Sequence, residues 1–374
     1  MNPLLSPEEE AFRQEVVGFL TDHGDVDGFF HREGEHDVAV RRLYQALGER
    51  GWLSLSWPEE YGGSALPPVY DFLLWDEMAY ARAARPPLAA GIVAKTIIKH
   101  GTPEQKQRYL SGIRAGTLFF SLGYSEPEAG SDLASVRTRA AQDGNEYVLE
   151  GEKRWTSGGH RADFLWMLCR TGSLESHSRG LTLLIVDRRS PGISVSPIAA
   201  VDGERFNEIR FDGVRVPVAN RVGEENGAWP MIVESLATER HVQWCPKRVL
   251  RDFEDLLGWV RACHLEDDPL VRDRIADLAV AVAEAQALGL EMLSAVQAGR
   301  PAVLEAACNK LVGSEACQSV ARAALDFGAP DALARGTMVE FLWRQSLSET
   351  IGGGTSEVMR GLVARLRLGL GAAR

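Results

Sequence analysis

The spacing of apolar residues changes twice along the chain. Up to about residue 115, apolar positions recur every three to four residues, which is the period of an amphipathic helix. Two segments, Ser6-Pro7-Glu8-Glu9 and Thr102-Pro103-Glu104-Gln105, are capping boxes, in which a hydroxyl accepts a hydrogen bond from the amide three residues later. Proline in the first helical position favours the same start. Residues 1–115 are therefore predicted to form an N-terminal helical domain.

Between residues 116 and 225, short apolar runs separated by turn residues replace the helical period. These runs cover residues 147–149, 164–169, 181–186 and 209–211. Asp143-Gly144 and Pro191-Gly192 are turn signals between them. Strands that follow one another without long intervening helices predict a middle antiparallel β domain instead of βαβ units.

From residue 226 to residue 374 the helical period returns, with one break at Glu266-Asp267-Asp268-Pro269. This part is predicted to be a C-terminal helical domain of the four-helix-bundle type. The fold class is therefore α+β multidomain, with a helical, an antiparallel β and a second helical domain in that order.

The composition of the chain excludes several classes of function, whereas it adds little to the prediction of the fold. A chain of 374 residues with 45% hydrophobic and 25% charged residues is typical of a globular protein with a large core. The net charge of −11 argues against nucleic acid, because phosphate binding needs a concentrated basic surface. The five cysteines have no Cys-x-x-Cys spacing, which favours a reducing cytoplasm over a disulfide framework or a zinc site. No export signal is read at the N-terminus, and Glu284 and Gln286 interrupt the alanine-rich stretch 278–290, so no membrane span is expected.

Two segments of the middle region bring hydroxyls, an aromatic ring and glycines together. They are Tyr124-Ser125-Glu126-Pro127-Glu128-Ala129-Gly130-Ser131-Asp132 and Lys153-Arg154-Trp155-Thr156-Ser157-Gly158-Gly159. Ser125 offers a hydroxyl, and Gly130 lets the backbone approach a ligand closely. Taken alone, the first segment is equally well interpreted as an ordinary polar turn. Together the two segments resemble the flavin-site signatures of acyl-CoA dehydrogenases, and residues 351–357 resemble the closing motif of that family.

The resemblance covers the whole chain and implies an FAD site and an acyl-CoA site. The residues implied to contact the flavin are Tyr124, Ser125, Trp155, Ser157, Thr355 and Glu357. The first two would line the flavin ring, and the last two would contact its mononucleotide portion. Trp155 would shield one face of the ring, Ser157 would place its hydroxyl at the flavin N5, and Ser131 would lie near the acyl-CoA. No metal site is expected.

Desaturation of a thioester needs a base that removes the α-proton while a hydride leaves the β-carbon. A carboxylate in a closed apolar pocket suits this role, because desolvation raises its pKa toward neutrality. Many family members carry that glutamate directly before the Gly-Thr pair of the closing motif, where this chain has Gly353. A minority branch, which includes isovaleryl- and long-chain-type enzymes, places it on an earlier helix directly before an arginine, where this chain has Glu239-Arg240.

The resemblance therefore implies that Glu239 is the catalytic base and that Arg240 supports the substrate pocket. A base on another helix can reach the same α-carbon only if the old position is small, and Gly353 supplies that room. The Gly353 N–H would donate to the thioester oxygen, which carries developing enolate charge. Without the resemblance, Glu239 is a solvated helix glutamate and Arg240 a surface cation.

Two features of the family are missing. Most members have an arginine followed shortly by Phe-Gly, which binds the FAD pyrophosphate across a subunit interface, and residues 263–272 hold no such motif. Most also have Gln-x-x-Gly-Gly-x-Gly where this chain has residues 325–330. Similar losses occur in bacterial subfamilies that assemble from two unlike subunits, some of which act on steroid side-chain thioesters. Arg272, Arg274 or an unlike partner chain would then supply the missing charge.

The predicted function is FAD-dependent α,β-dehydrogenation of an acyl-CoA to its trans-2-enoyl thioester in the cytoplasm, with electrons passed to an electron-transfer flavoprotein. The enzyme is expected to be a homo-oligomer or a hetero-oligomer with a related subunit. Two alternatives remain open. One is a dehydrogenase that acts on an acyl group linked to a carrier protein. The other is a non-catalytic subunit that completes the flavin site of a heteromeric acyl-CoA dehydrogenase.

Overall fold

The computed structural model describes residues 5–23, 35–238, 240–328 and 330–371. Within these segments the chain divides into two compact units. The first, called the helical unit below, comprises the described parts of Met1–Leu43, Leu66–Pro86 and Ala237–Arg374. The second, called the sheet unit, comprises Tyr44–Ala65 and Pro87–Leu236. Residues 66–86 thus belong to the same unit as the C-terminal helices.

Helices precede and follow a run of strands, in the predicted order. The helices before the strands are α1 (Pro7–His23), α2 (Glu35–Glu49), α3 (Pro68–Tyr80), α4 (Ala94–His100) and α5 (Pro103–Arg114). Both predicted capping boxes are confirmed. Ser6 N donates to Glu9 Oε2 at 2.7 Å and Glu9 N donates to Ser6 Oγ at 3.2 Å, while Thr102 and Gln105 exchange the same pair of bonds.

Eight strands form one sheet in the sheet unit. They are β1 (Phe120–Gly123), β2 (Arg139–Asp143), β3 (Glu146–Lys153), β4 (Phe164–Arg170), β5 (Leu181–Asp187), β6 (Ile193–Ala199), β7 (Arg205–Pro217) and β8 (Arg221–Val222). The order is β6-β7-β3-β2-β4-β5-β8, and β1 pairs with β4. Most neighbours are antiparallel as predicted, but β1 and β2 each pair with β4 in parallel. The chain leaves β1 through a long segment instead of a hairpin, so β1 can run in the same direction as β4.

The core of the sheet unit follows the two-residue period of its strands. Tyr147 and Leu149 on β3, Leu165 and Met167 on β4, and Leu184 on β5 are fully buried in one cluster. In β4 the neighbouring positions are buried as well. That is the burial expected of a strand covered on both faces, and it explains the continuous apolar run in the sequence.

The C-terminal helices build the core of the helical unit. They are α6 (Ala228–Thr238), α7 (Arg240–Gln243), α8 (Lys247–Ala262), α9 (Pro269–Gln297), α10 (Val303–Phe327), α11 (Met338–Glu349) and α12 (Ser356–Leu368), of which α6 begins in the sheet unit. The predicted break at Pro269 is confirmed, with Asp268 capping α9. Leu256 of α8, Leu278 of α9 and Val320 of α10 share one buried cluster.

Helix α9 needs a correction to the expectation about membranes. Of the helices in the described segments, it is long and apolar enough by composition to cross a membrane, and 33% of that window is buried. The sequence suggested that Glu284 and Gln286 exclude a membrane span. By composition they do not exclude it. A core helix passes the same test, and α9 contacts α8 and α10 within the helical unit.

The cysteines and acidic side chains form no covalent or metal cross-link in the described segments. No two of the five cysteines are joined in a disulfide. Within the described residues, no group of three histidine, cysteine or acidic side chains lies close enough to hold a metal ion.

Candidate active site

The first predicted flavin segment follows β1 as a tight turn. At Gly123 an added Cβ would lie 2.2 Å from Met167 Sδ, so any larger residue there would force the Met167 side chain on β4 to move. Glu126 N then donates to Ala129 O at 2.9 Å, and Ala129 N donates to Glu126 O at 3.2 Å. This closes the chain on itself and turns the Glu126 side chain inward, where it is 7% exposed.

A fully buried lysine fixes this turn. Lys153 Nζ, at the end of β3, donates to Glu126 Oε1 at 2.8 Å, to Tyr124 O at 3.1 Å and to Leu168 O at 2.7 Å. An ammonium group has three protons, and each of these acceptors takes one. The charge is therefore paired and hydrogen-bonded, which is the condition for burying it.

Glu126 extends the same network to the far end of the segment. It accepts hydrogen bonds from the backbone amides of Arg137 at 2.6 Å and Thr138 at 2.9 Å. Burial alone would raise the pKa of Glu126, but the Lys153 charge and hydrogen bond, together with bonds from Thr138 and the Arg137 amide, lower it below its ordinary value. The carboxylate stays charged and holds both ends of the loop that carries Ser131.

The second predicted flavin segment is held against β7 and β1. Thr156 N donates to Asn207 O at 3.0 Å, and Asn207 Nδ2 donates to Thr156 O at 2.9 Å. Asn207 is fully buried, so water does not compete for these bonds. Ser121 Oγ donates to Ser157 O from β1. The backbone around Ser157 is therefore positioned by residues outside the motif.

The two segments lie side by side, because Arg154 N donates to Ser125 O at 2.9 Å. Trp155 follows with a φ of 60°, in the left-handed region. Its ring is 53% exposed and meets Phe206 edge-on, with centroids 6.1 Å apart. A non-glycine residue in this conformation costs roughly 1–3 kcal/mol and is typical of binding and catalytic sites.

The predicted flavin and acyl-CoA residues of the sheet unit differ in their exposure. Those that are exposed or half-buried are Ser125, Ser131, Trp155 and Ser157. Tyr124 is only 8% exposed, and burial raises the pKa of its phenol, an effect that the neighbouring Trp166 only partly offsets. The Tyr124 ring belongs to the core, and its backbone carbonyl is what Lys153 holds.

The accessible groups fit a flat heterocycle with polar edges. The Trp155 indole offers a flat apolar face, and Ser125 and Ser157 add hydroxyls beside it. Thr156 Oγ1 is buried and has no hydrogen-bond partner among the described residues. A buried unpaired hydroxyl is costly, so a ligand that brings donors and acceptors to this turn would satisfy it.

The glycines of the closing motif form a second turn, between α11 and α12 of the helical unit. Ser356 N donates to Thr350 O across the turn at 3.0 Å. Gly353 and Gly354 have φ values of 67° and 98°, a conformation that L side chains rarely adopt. The backbone itself therefore favours glycine at both positions.

Trp244 occupies the space beside Gly353. A Cβ built on Gly353 would lie 3.0 Å from Cζ2 and 3.3 Å from Nε1 of Trp244, closer than ordinary van der Waals contact. The sequence predicts that Gly353 leaves space for a base from another helix. The indole of Trp244 lies at the edge of that space. Glu239 lies outside the described residues, so its own placement stays a prediction.

The Trp244 ring is flanked by two cations. Asn309 Nδ2 donates to Trp244 O at 2.9 Å. Lys310 Nζ lies 5.1 Å and Arg85 Cζ 6.0 Å from the ring centroid, which are cation–π distances. Arg85 also donates to Glu349 Oε1 at 2.5 Å. Trp244 is therefore held by a hydrogen bond to its backbone and by two cations near its ring.

Glu349 is the last residue of α11 and is buried just before the glycine turn. Burial alone would raise its pKa, but the charges of Arg85, Arg248 and Lys310 hold it below the ordinary value. The carboxylate is therefore ionised and draws three cations to the point where the chain enters the turn.

The two residues predicted to contact the mononucleotide portion also cap a helix. Thr355 is the N-cap of α12, and its Oγ1 accepts from Val358 N at 3.3 Å. Glu357 is exposed in the first turn, where its own backbone N–H and the Thr355 hydroxyl lower its pKa. A carboxylate is favourable at a helix N-terminus. Both residues therefore have a structural reason to be there.

The predicted site residues fall into two groups. Tyr124, Ser125, Ser131, Trp155 and Ser157 belong to the sheet unit. Gly353, Thr355, Glu357 and Arg240, the first residue of α7, belong to the helical unit. Within the sheet unit the two flavin segments are brought together, and within the helical unit the closing motif is brought together with Trp244 and Arg85.

The charges near α12 do not favour a phosphate. A shallow cavity of about 230 Å³ lies at the N-terminal end of this helix, lined by Glu315, Gln318, Thr350, Ile351, Thr355, Ser356, Glu357 and Arg360. Arg360 pairs with Glu315 at 2.6 Å and also acts on Glu357, so one cation faces two carboxylates in this lining. On α9, Arg272 is exposed and Arg274 half-buried, and neither forms an ion pair within the described segments.

Four residues that position the site had no predicted role: Lys153, Glu126, Asn207 and Trp244. A signal for Lys153 was present, because the alternation of Tyr147 and Leu149 continues to it and places it on the buried face of β3. A lysine on a buried face needs a partner. No local signal connects Trp244 with Gly353, since they are far apart in the sequence.

The order of helical, β and helical parts, with its flavin-type turn, defines the acyl-CoA dehydrogenase class of FAD-dependent oxidoreductases. Models of the acyl-CoA dehydrogenase N-terminal, middle and C-terminal domains match residues 6–117, 121–214 and 229–368. The chain belongs to the acyl-CoA dehydrogenase family. Members bind FAD, and the turn around Trp155 fits a flavin ring.

Relatives match over nearly the whole length. Acyl-CoA dehydrogenase FadE26 of Mycobacterium tuberculosis is 34% identical, with 98% of each chain covered. The solved structure of the Tcur3481-Tcur3483 steroid ACAD has a TM-score of 0.89 at 34% identity and covers 100% of both chains. The ChsE4-ChsE5 complex from Mycobacterium tuberculosis has a TM-score of 0.88 at 33% identity, again over 100% of both. The predicted fold class is confirmed.

Proposed function

We propose that this chain desaturates an acyl-CoA between its α and β carbons, with Glu239 as the catalytic base. The observation that carries the proposal is the glycine turn. Gly353 stands where many relatives place the base, its φ is 67°, and Trp244 lies against it, so this position does not supply a carboxylate. Glu239, directly before Arg240, is the carboxylate at the position used by the other branch of the family.

The reaction breaks two C–H bonds and forms one C=C bond. The Glu239 carboxylate takes the α-proton, and the electron pair of that bond becomes the new double bond as a hydride leaves the β-carbon. The bound flavin supplies the two-electron acceptor for that hydride. The Gly353 N–H donates to the thioester oxygen and stabilises the charge that develops there.

The remaining site residues bind and orient the reactants. Trp155 would cover one face of the flavin ring, and the hydroxyls of Ser125 and Ser157 would donate to its polar edge. Ser131 and Arg240 contact the acyl-CoA. Electrons leave to an electron-transfer flavoprotein, and the reaction takes place in the cytoplasm.

The substitution Glu239→Gln tests the base. Loss of a well-placed general base costs about 10²- to 10⁴-fold in rate. The variant should keep its flavin and its acyl-CoA affinity but lose anaerobic bleaching of the yellow protein by at least that range. Glu234→Gln is a matched control, because Glu234 lies on α6 in an exposed ion pair with Lys99. Near-normal bleaching in Glu239→Gln would remove Glu239 from the mechanism.

A wild-type protein that binds flavin but is not bleached by any acyl-CoA would favour the non-catalytic subunit. Bleaching only by an acyl carrier protein thioester would favour the carrier-linked reaction. A panel that includes linear, branched and steroid side-chain CoA thioesters assigns the acyl group.

We propose further that an unlike partner subunit completes the adenosine half of the site. The chain lacks both adenosine-side motifs, and Glu357 leaves a negative charge at the end of α12. Two of the similar structures, Tcur3481-Tcur3483 and ChsE4-ChsE5, each carry the names of two different chains. Protein expressed alone should carry less than one FAD per chain, and co-expression with a related subunit should fill the site. One tightly held FAD per chain without a partner would contradict this and direct attention to Arg272 and Arg274.

A further inference from the structure

The contact between Trp244 and Gly353 has a consequence for how this site is built. Trp244 Cζ2 lies 3.0 Å from where the Cβ of residue 353 would be. We infer that Trp244 is a specificity-determining wall: it occupies the place of a side chain at 353 and so excludes a second carboxylate from the closing motif. The inference rests on the proposed function, since it explains why the base is supplied from position 239.

Trp244 cannot easily move aside. The indole is half-buried, and the Trp244 backbone is tied to α10 through the bond from Asn309 Nδ2 to Trp244 O. Lys310, which is within cation–π distance of the ring, is fully buried, and Arg85, also within that distance, is ion-paired with the buried Glu349. Displacing the ring would disturb two cation–π contacts, one of them with a fully buried lysine. A side chain at 353 would have to bear that cost.

The backbone adds a second, separate cost at this position. A residue with a Cβ at φ 67° is strained whatever surrounds it. The total effect of any substitution at Gly353 is thus the sum of a backbone cost and a contact cost with Trp244. Only the second disappears when the indole is removed, so a double-mutant cycle separates the two.

The cycle uses Gly353→Ala, Trp244→Ala and the double variant in the flavin-loaded protein as purified, with denaturant unfolding as the readout. In the Trp244→Ala background, Gly353→Ala should raise the unfolding equilibrium constant by roughly 5- to 30-fold, the size of the left-handed backbone cost. In the wild-type background the increase should be at least about tenfold larger. Gly352→Ala is the control, because its Cβ would meet only Ser348 O at an ordinary 3.8 Å.

Equal penalties in the two backgrounds would overturn the inference. If Trp244→Ala does not fold, Trp244→Phe replaces it, since phenylalanine lacks the Cζ2 and Nε1 atoms nearest to residue 353. The cycle is independent of catalysis. Loss of the proposed function, shown by an active Glu239→Gln, would therefore leave its result readable.

Exclusion of a carboxylate has its own test, again by anaerobic bleaching. Glu239→Gln combined with Gly353→Glu should stay as inactive as Glu239→Gln, because the new side chain meets Trp244. Adding Trp244→Ala should recover at least about tenfold in bleaching rate, with kcat changed more than KM. A triple variant no faster than Glu239→Gln would show that Trp244 is not what excludes the carboxylate.

Discussion

Two turns of the protein carry left-handed backbone beside predicted site residues, one in each compact unit. In the sheet unit the residue is Trp155, with a φ of 60°, and in the helical unit it is Gly353, with a φ of 67°. Trp155 keeps a large side chain in this conformation. Gly353 has none, and another residue fills the space. The two turns therefore reach similar backbone geometry by different means.

The turn at Trp155 is held by buried polar groups. Asn207 bonds the next residue from β7, and Lys153 and Glu126 fix the neighbouring segment through five hydrogen bonds, counting the one between them only once. These bonds over-determine the backbone, which is how a strained conformation persists. We expect substitutions of buried residues outside the motif to weaken the structure of this turn.

The turn at Gly353 is held by helix ends and by an aromatic ring. Thr355 caps α12, Glu349 ends α11 in an ion pair with Arg85, and Trp244 packs on the glycine. Glycine removes the strain, so no buried network is needed at the turn itself. We expect the structure of this turn to be disturbed mainly by substitutions that add a side chain at the glycines.

The largest effect is expected for Lys153→Met. Removing one partner of a buried ion pair typically costs about 3–5 kcal/mol, because the other charge stays buried without compensation. The free energy of unfolding should fall by that amount, and flavin affinity should fall with it. Lys99→Met is the control: the Lys99–Glu234 pair is 58% and 45% exposed, and such pairs contribute only about 0–1 kcal/mol. Equal losses in the two variants would show that the buried Lys153 network contributes no more than an exposed ion pair.

The next effect concerns pH and Asp76 in the helical unit. Asp76 on α3 is buried and accepts from Lys247 N, at the start of α8, at 2.9 Å. Burial raises its pKa from 3.8 to about 7, although the charge and amide of Lys247 oppose the shift. Between these pH values the folded protein binds a proton that the unfolded chain does not. The Asp76 contribution to the free energy of unfolding therefore decreases as the pH rises from about 4 to about 7.

Asp76→Asn keeps an oxygen for the Lys247 amide but cannot titrate. Relative to wild type, the variant should gain stability between pH 4 and pH 7, by at most about 4 kcal/mol at about 1.4 kcal/mol per pKa unit. Glu126 in the sheet unit behaves oppositely, since its lowered pKa gives stability that is lost only as the pH falls below the ordinary range. A stability difference between variant and wild type that does not change with pH would remove Asp76 from this account.

The smallest of the three effects is expected for Asn207→Ala. A lost bond that leaves a buried backbone carbonyl unpaired costs about 1–3 kcal/mol. Because that carbonyl belongs to Thr156, flavin affinity should fall as well as stability. Asn220→Ala removes a similar bond, from Asn220 Nδ2 to Ile185 O at 2.8 Å, away from the turn. The Asn220→Ala control should lose stability but keep its flavin affinity. An equal loss of flavin affinity in the control would show that the effect of Asn207→Ala is not specific to the Thr156 turn.

Local features of the chain could be predicted because few neighbouring residues decide them. The capping boxes at Ser6 and Thr102 depend on two side chains three residues apart, and both form as expected. The glycine run at the closing motif similarly marks a turn, because only glycine adopts positive φ without strain. The resemblance of the motifs then placed the chain in its family.

Partners that are distant in the sequence were decided only by the tertiary structure. The sequence contains Lys153 and Glu126 within the two flavin segments, but the bond between them depends on how β1, β3 and β4 align. It also contains Trp244 and Gly353, but no periodicity links a residue after α7 to a turn after α11. Such contacts form when packing brings separate elements together. The pattern of residues along the chain does not specify which distant elements will lie close in space.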